Sequence, residues 1–339
     1  MQPEAFRGLP RPPWYAGVPT AWRMPLVRLA LAWCLLVAVA WEAWATMAWH
    51  WWNASTYNHI LLVPPILVWL VRQRWSELSL LTPSTWWPGL VLLVFGMMVW
   101  RVGAAFDVNL VSQFGAVMML QSAVATLLGP RVTAGLLFPL GYMLFLVPFG
   151  DEIVPPLQDV TAKLAVWLTH ASGVPATLDG IYIDTPAGLF IVARACSGVK
   201  FLVAMVALGA LVAHTSFASP LRRTLFMAAA VVVPILANGV RAWGTIYVAQ
   251  SQGLEFAAGF DHIVYGWIFF AVVMVVLIGG AWRSFDRAPE DPLIDVATVQ
   301  AAPLLAGLSV YRIGGWSALG AIALLVAAVL WMDRLANVA

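Results

Sequence analysis

Apolar stretches recur along this chain at 29–47, 57–71, 86–104, 110–128, 132–148, 197–214, 224–247, 262–281 and 314–332. At about 1.5 Å of helical rise per residue, stretches of roughly 18 to 25 residues cross a hydrocarbon core of about 30 Å. Backbone groups in lipid have no water to bond, so such segments must satisfy their hydrogen bonds internally, as helices do. Composition supports the same class, with 62% hydrophobic residues, 10% charged residues and 19 Trp in 339. A soluble globule has no place for that much apolar surface. The pattern predicts an all-α polytopic membrane protein of about eight or nine transmembrane helices. A formal charge of +2, from 18 Lys plus Arg against 16 Asp plus Glu, leaves no basic face for nucleic acid.

The positive charges orient these helices. Arg7, Arg11, Arg23 and Arg28 precede the first stretch, Arg72 and Arg74 follow the second, and Arg131 follows the fourth. Arg222 and Arg223 separate the sixth and seventh, and Arg283 and Arg287 follow the eighth. All fall on one side if odd-numbered crossings run outward, with Arg101 the exception. The expected organisation is a cytoplasmic segment 1–28, a transmembrane domain 29–285 that includes an outer connection 151–195, a cytoplasmic linker 286–313, and a last helix with a short outer tail at 314–339. The first stretch lacks a small-residue cleavage site and reads as a retained anchor. Trp49, Trp51 and Trp52 suit one interfacial belt and Trp86 and Trp87 the other. Pro64 and Pro65 interrupt the second crossing, which predicts a kink.

The outer connection changes character along its length. Residues 157–168 form an amphipathic pattern, with Leu157, Leu164 and Leu168 toward lipid and Gln158, Asp159 and Lys163 toward water. Ile181 and Ile183, then Leu189 and Ile191, flank Asp184-Thr185-Pro186-Ala187-Gly188 with period-two patterning. That predicts a short two-stranded β-ribbon, which must pack on helix ends because an isolated ribbon is marginal in water.

The ribbon delivers Cys196, in Arg194-Ala195-Cys196-Ser197-Gly198, to the start of the sixth helix. A thiol at a helix start can be held as thiolate by free backbone N–H groups and a nearby cation, here Arg194 or Arg241. Ser197, or the peptide groups through Gly198, can cap this helix and face an oxyanion formed beside Cys196. Cys34 lies within the first stretch, so the chain's two cysteines give no disulfide framework and no metal-binding cluster.

Arg241 comes about 18 residues, roughly 27 Å of helix, after the inner start of the seventh crossing, near the outer surface. Asn238 precedes it by one turn on the same face. Its charge either snorkels to the interface or serves a thiolate, a carboxylate or an oxyanion. His262, at the outer start of the eighth crossing, can take a thiol proton near neutrality and return it to a leaving amine. Asp261 can cap that helix, and Tyr265 lies in the same segment. Cys196, Arg241 and His262 thus come from separate regions to one expected level.

Ala195-Cys196-Ser197-Gly198-Val199, the segment from Pro234 to Arg241, and Asp261-His262-Ile263-Val264-Tyr265-Gly266-Trp267 closely resemble bacterial exosortases, most of all those of the exosortase A type. Val147-Pro148-Phe149-Gly150 and Val154-Pro155-Pro156-Leu157-Gln158 extend the likeness over approximately residues 25–285. The resemblance implies an integral-membrane cysteine protease and transpeptidase of the bacterial inner membrane. Cys196 would be its nucleophile, with Arg241 and His262 matching the other family positions, the site facing the periplasm and no cofactor required. Implied partners are exported proteins with a C-terminal Pro-Glu-Pro signal, a transmembrane helix and a basic tail, together with an acceptor nucleophile, surrounding lipids and a link to exopolysaccharide production. Many relatives carry a further outer domain after the last crossing, which a chain ending at Ala339 is expected to lack or to present in part.

A different reading is a transporter or polysaccharide-export component, in which Pro64, Pro65, Asn109, Gln113, Asn238 and Arg241 line a solute cavity. A third is an inactive scaffold that gathers envelope proteins through the outer connection.

Overall fold

The computed structural model describes residues 17–254, 266–288 and 291–336. In chain order the helices are α1 Thr20–Val39, α2 Trp41–Asn53, α3 Val63–Gln73, α4 Trp75–Leu78, α5 Pro88–Ala105, α6 Asn109–Gly135, α7 Leu137–Tyr142, α8 Val154–Ala171, α9 Val199–Ser216 and α10 Pro220–Gln252. They are followed by α11 Gly266–Ala281, α12 Val296–Ala301, α13 Pro303–Leu308 and α14 Gly315–Ala336. Among the described residues six helical segments are long and apolar enough to cross a membrane, up to eight if the bent pairs Trp41–Asn53 with Asn58–Gln73 and Leu137–Leu146 with Asp151–Ala171 each count as one span. With the shorter apolar helix Ile268–Ser284 they occupy all the apolar stretches of the sequence. The chain is therefore an all-α polytopic membrane protein carrying one small sheet.

Two compact units divide it, Met1–Pro148 with Glu290–Ala339, and Phe149–Pro289. In the first unit α6 is the central helix, with 72% of its apolar window buried, against 22% for α1 and for α14. Helices α5 and α6 approach closely because small residues face each other. A Cβ on Gly103 would meet the backbone of Ser112, and one on Gly115 the backbone of Trp100. α6 is interrupted at Gly129-Pro130, where Gly129 takes φ +83°, so the fourth apolar stretch ends where expected.

The charged ends of this unit share one level. The Trp22 indole donates to the Leu81 carbonyl at 3.0 Å, Trp22 meets Trp75 edge-on, and the Arg28 guanidinium lies over Trp316. Three local expectations change. The first stretch is not one helix: α1 begins at Thr20, with Arg23 and Arg28 riding on it, and stops at Ala40. Pro64 and Pro65 open α3 and do not kink its interior, since Pro in a first turn gives up only amides that have no helical partner. Trp51 is anchored to protein, its indole donating to the Leu146 carbonyl at 2.9 Å, whereas Trp49 and Trp52 are exposed as a belt requires.

In the second unit α10 is the long spine against which α8 and α9 pack. Val154 and Leu157 of α8 join Val199, Leu202 and Val203 of α9 in one buried cluster. At one end the Asp286 carboxylate accepts from the Ala218 amide at 2.7 Å and the Ser219 amide at 3.3 Å, and sits 3.5 Å from Arg222. The Ala218 N–H above all, then those of Ser219 and the Arg222 charge, hold this carboxyl below the usual carboxylate range. The α9–α10 connection and the segment after α11 thus meet at one end, as the Arg222 and Arg283 placements predict.

The sheet has three strands, not the expected two: β1 Thr177–Asp179, β2 Tyr182–Thr185 and β3 Gly188–Ile191, antiparallel in order β1-β2-β3. Its register pairs Ile183 with Phe190 and with Leu178. Ile183, 1% exposed, and the half-buried Phe190 turn inward, while Leu178 at the sheet edge, Leu189 at 63% and Ile191 at 52% are exposed. β1 escaped the sequence reading because Thr-Leu-Asp is too short to show alternation.

Candidate functional site

The chain leaves β3, bends through Val192 and Ala193, makes one tight turn over Arg194–Cys196 and enters α9. The sheet that precedes it is seated as the marginal stability of a ribbon requires. Ala162 and Ala165 of α8, Ile183, Val192 and Ile246 of α10 form a buried cluster, and the half-buried Cys196 and Ala242 pack against it. Cys196 therefore stands between a hydrophobic seat and the start of a helix of 18 residues. The positive end of that helix dipole points toward the Cys196 turn.

Two buried polar side chains of α8 hold this approach. Gln158 donates to the Val192 carbonyl at 2.6 Å, and Thr161 reaches the Ser197 carbonyl at 3.5 Å. Gln158 was expected to face water and Leu157 to face lipid, yet both are buried in the protein. α8 is a packed element with one exposed face, Lys163 and Asp159 pairing there at 2.7 Å. Thr161 carries none of the motifs read from sequence. Its signal was the spacing Gln158, Thr161, Ala162, Ala165, Thr169, a stripe of small and neutral polar residues on one helix face.

From α10 comes Asn238, buried, whose amide nitrogen donates to the Cys196 carbonyl at 2.9 Å and to Thr161 Oγ1 at 3.0 Å. One side chain thus ties α10, α8 and the Cys196 turn together. Gly198 makes that approach possible. It takes φ +82°, and a Cβ there would stand 2.7 Å from Asn238 Cγ. Gly198→Ala is therefore expected to lower stability by about 1–2 kcal/mol from the left-handed backbone alone, before the clash is counted. A fall in the thermal unfolding midpoint in detergent checks this, and an unchanged midpoint contradicts it.

Ser197 is buried and its hydroxyl donates to the Arg194 carbonyl at 2.7 Å, closing the turn, while Val199 N reaches Ser197 Oγ at 3.4 Å. The Cys196 and Ser197 amides are spent on Ala193 and Arg194 carbonyls. With the Val199 amide on Ser197 Oγ and those of Phe201 and Leu202 on the Gly198 carbonyl, the expectation that peptide groups along this turn face an oxyanion narrows to the Gly198 amide.

Arg241 is buried one turn beyond Asn238, its guanidinium 6.0 Å from the Phe201 ring centroid, and Phe201 stacks on Phe270. A guanidinium resting on an aromatic face in the first turn of α9 lies in protein, not at a lipid-facing snorkel position. Lys200 carries its ammonium over the same ring at 4.9 Å, a second cation near the site that motif reading passed over. Arg194 pairs with Asp151 at 3.6 Å, both largely exposed, so its local charge is shared with a carboxylate. His262, Asp261 and Tyr265 lie outside the described residues. Among the described residues no group of three or more His, Cys, Asp or Glu side chains converges as a metal site would require.

The structure thus gathers Cys196, Ser197, Asn238 and Arg241 around one helix start. A family model for transmembrane exosortases matches residues 51–279, which contain every one of these positions. The chain belongs to the transmembrane exosortase family. No curated protein and no solved structure matches it. For an exosortase, the arrangement places the single cysteine of the matched span where β-sheet, α8 and α10 together restrain the backbone on both sides of it.

Proposed function

We propose that this exosortase is a cysteine protease and transpeptidase of the bacterial inner membrane, acting at its periplasmic face on exported proteins. Its substrates would carry a C-terminal Pro-Glu-Pro signal followed by a transmembrane helix and a basic tail, and its work would serve exopolysaccharide-associated protein sorting. One observation carries the reading: Cys196 sits at the start of α9 with its carbonyl fixed by Asn238, on whose helix Arg241 is buried.

In the reaction the Cys196 thiol proton passes to the imidazole of His262 as sulfur attacks the scissile carbonyl and the C–S bond forms. Negative charge on the carbonyl oxygen meets the Arg241 guanidinium, the Gly198 amide and the positive end of α9. The C–N bond then breaks and His262 returns the proton to the departing amine, leaving a thioester on Cys196. An acceptor nucleophile, or water, attacks that thioester, gives up its proton to His262 and restores the thiol.

The solute-carrier reading needs Asn238 for a solute, whereas its amide hydrogens are given to the Cys196 carbonyl and to Thr161 Oγ1.

Reconstitution with a candidate tripartite substrate tests the proposal. Mass analysis should find both cleavage fragments and, after acid quenching, an acyl adduct on the Cys196 peptide. Cleavage with the adduct on any other residue, or a fully intact substrate with a correctly inserted enzyme, would overturn it.

A further inference from the structure

An apolar groove runs between α1 and α14 in the first unit. It has a volume of about 570 Å³ and is lined by Leu31, Cys34, Leu35 and Ala38 on one wall and by Trp316, Leu319, Gly320 and Ala323 on the other. Gly320 leaves the groove open along its wall: a Cβ there would meet nothing within 4 Å.

Its charged end is distinct. The Arg28 guanidinium lies over the Trp316 ring at 5.1 Å from the centroid and against the backbone of Gly315. Arg28 Nε is shielded from solvent yet has no hydrogen-bond partner. Arg23 and Arg312, both exposed, lie at the same end of the two helices. No acidic side chain lines the groove.

The geometry points to a binding site for an anionic phospholipid, its phosphate at Arg28 and one acyl chain in the groove. Length favours this occupant. From Arg28 to Ala38 the helix rises about 15 Å, half of a hydrocarbon core of about 30 Å, which is the reach of one leaflet. A partner's spanning helix would need a groove of twice that length, and here α1 ends at Val39. Charge favours it too. A substrate helix with a basic tail would bring like charge to Arg23, Arg28 and Arg312, whereas a phosphate gives the guanidinium a bidentate acceptor.

Native mass spectrometry of the full chain, released from detergent with equal amounts of phosphatidylglycerol and phosphatidylcholine of matched chains, tests the assignment. One phosphatidylglycerol should be retained in preference. Arg28→Gln should reduce that preference about fivefold, the factor expected for one cation at a lipid surface. Gly320→Leu, which fills open space, should abolish retention of that lipid. In a Cys196→Ala background, alkylation of the exposed Cys34 should slow as phosphatidylglycerol is added, and Arg28→Gln should remove the slowing. Equal retention of the two lipids overturns the proposal, as does a preference untouched by Arg28→Gln. Retention that survives Gly320→Leu overturns the groove as the seat of the chain. A dimer mass lost on Gly320→Leu assigns the groove to a second copy instead. Should Gly320→Leu fail to fold, Arg28→Gln decides alone.

Discussion

Cys196→Ala is expected to reduce processing of a tripartite substrate to background, a loss of at least about 10³-fold, while leaving insertion and unfolding behaviour unchanged. The size of the effect follows from chemistry: without the sulfur no acyl intermediate forms, and positioning by Arg241 and the α9 N-terminus cannot supply the missing bond. The absence of a stability effect follows from packing. Cys196 is half-buried at the margin of its cluster, and its backbone is held by Asn238 and by the Cys196 amide bond to Ala193, neither of which uses the side chain. The measurement is cleavage rate in proteoliposomes alongside the thermal midpoint. Normal cleavage by the alanine variant would sink the nucleophile assignment. Lost cleavage with a collapsed midpoint would make the cysteine a structural residue. Cys196→Ser separates these further, since a hydroxyl keeps the shape and loses most of the nucleophilicity, so it should resemble alanine in rate and the parent in midpoint.

What sequence made legible here was whatever is local. Apolar run length located the long apolar helices among the described residues, though not the split of the first run at Ala40, and the alternation at Ile181 and Ile183 located the sheet. Cys196, Asn238 and Arg241 were visible as motif residues, and the structure brings them to one helix start. Contacts formed across long sequence separations were not legible. Thr161 meets Asn238 across 77 positions and Gln158 meets Val192 across 34, so nothing near either residue announces its partner. The amphipathic pattern of 157–168 misled for the same reason: a neutral Gln on a helix reads as solvent-facing until a strand end arrives with a carbonyl to accept its bond. Arg194 has a partner in Asp151, at 3.6 Å, that its nearness in sequence to Cys196 does not announce.

Asn238→Asp is expected to be at least as damaging as Asn238→Ala, although it alone keeps the size of the side chain. Asn238 acts as a donor, through one nitrogen, to two oxygens. Thr161 can rotate its hydroxyl and donate to a carboxylate, so that contact survives the change. The Cys196 carbonyl cannot rotate into a donor. It would face a negative oxygen at about 3 Å in a buried setting, where one lost partner costs about 1–3 kcal/mol and a charge costs more. The turn that carries the thiol should therefore shift, and a displacement of about 1 Å is enough to lower turnover roughly 10²-fold. Acidity distinguishes this account from simple loss of packing. When the introduced carboxyl is protonated it regains one O–H donor, so the thermal midpoint of Asn238→Asp should recover toward the parent as pH falls. That of Asn238→Ala should not follow it. Parallel behaviour of the two variants across pH, or near-normal turnover by Asn238→Asp, would show that the bond to the Cys196 carbonyl does not hold the site.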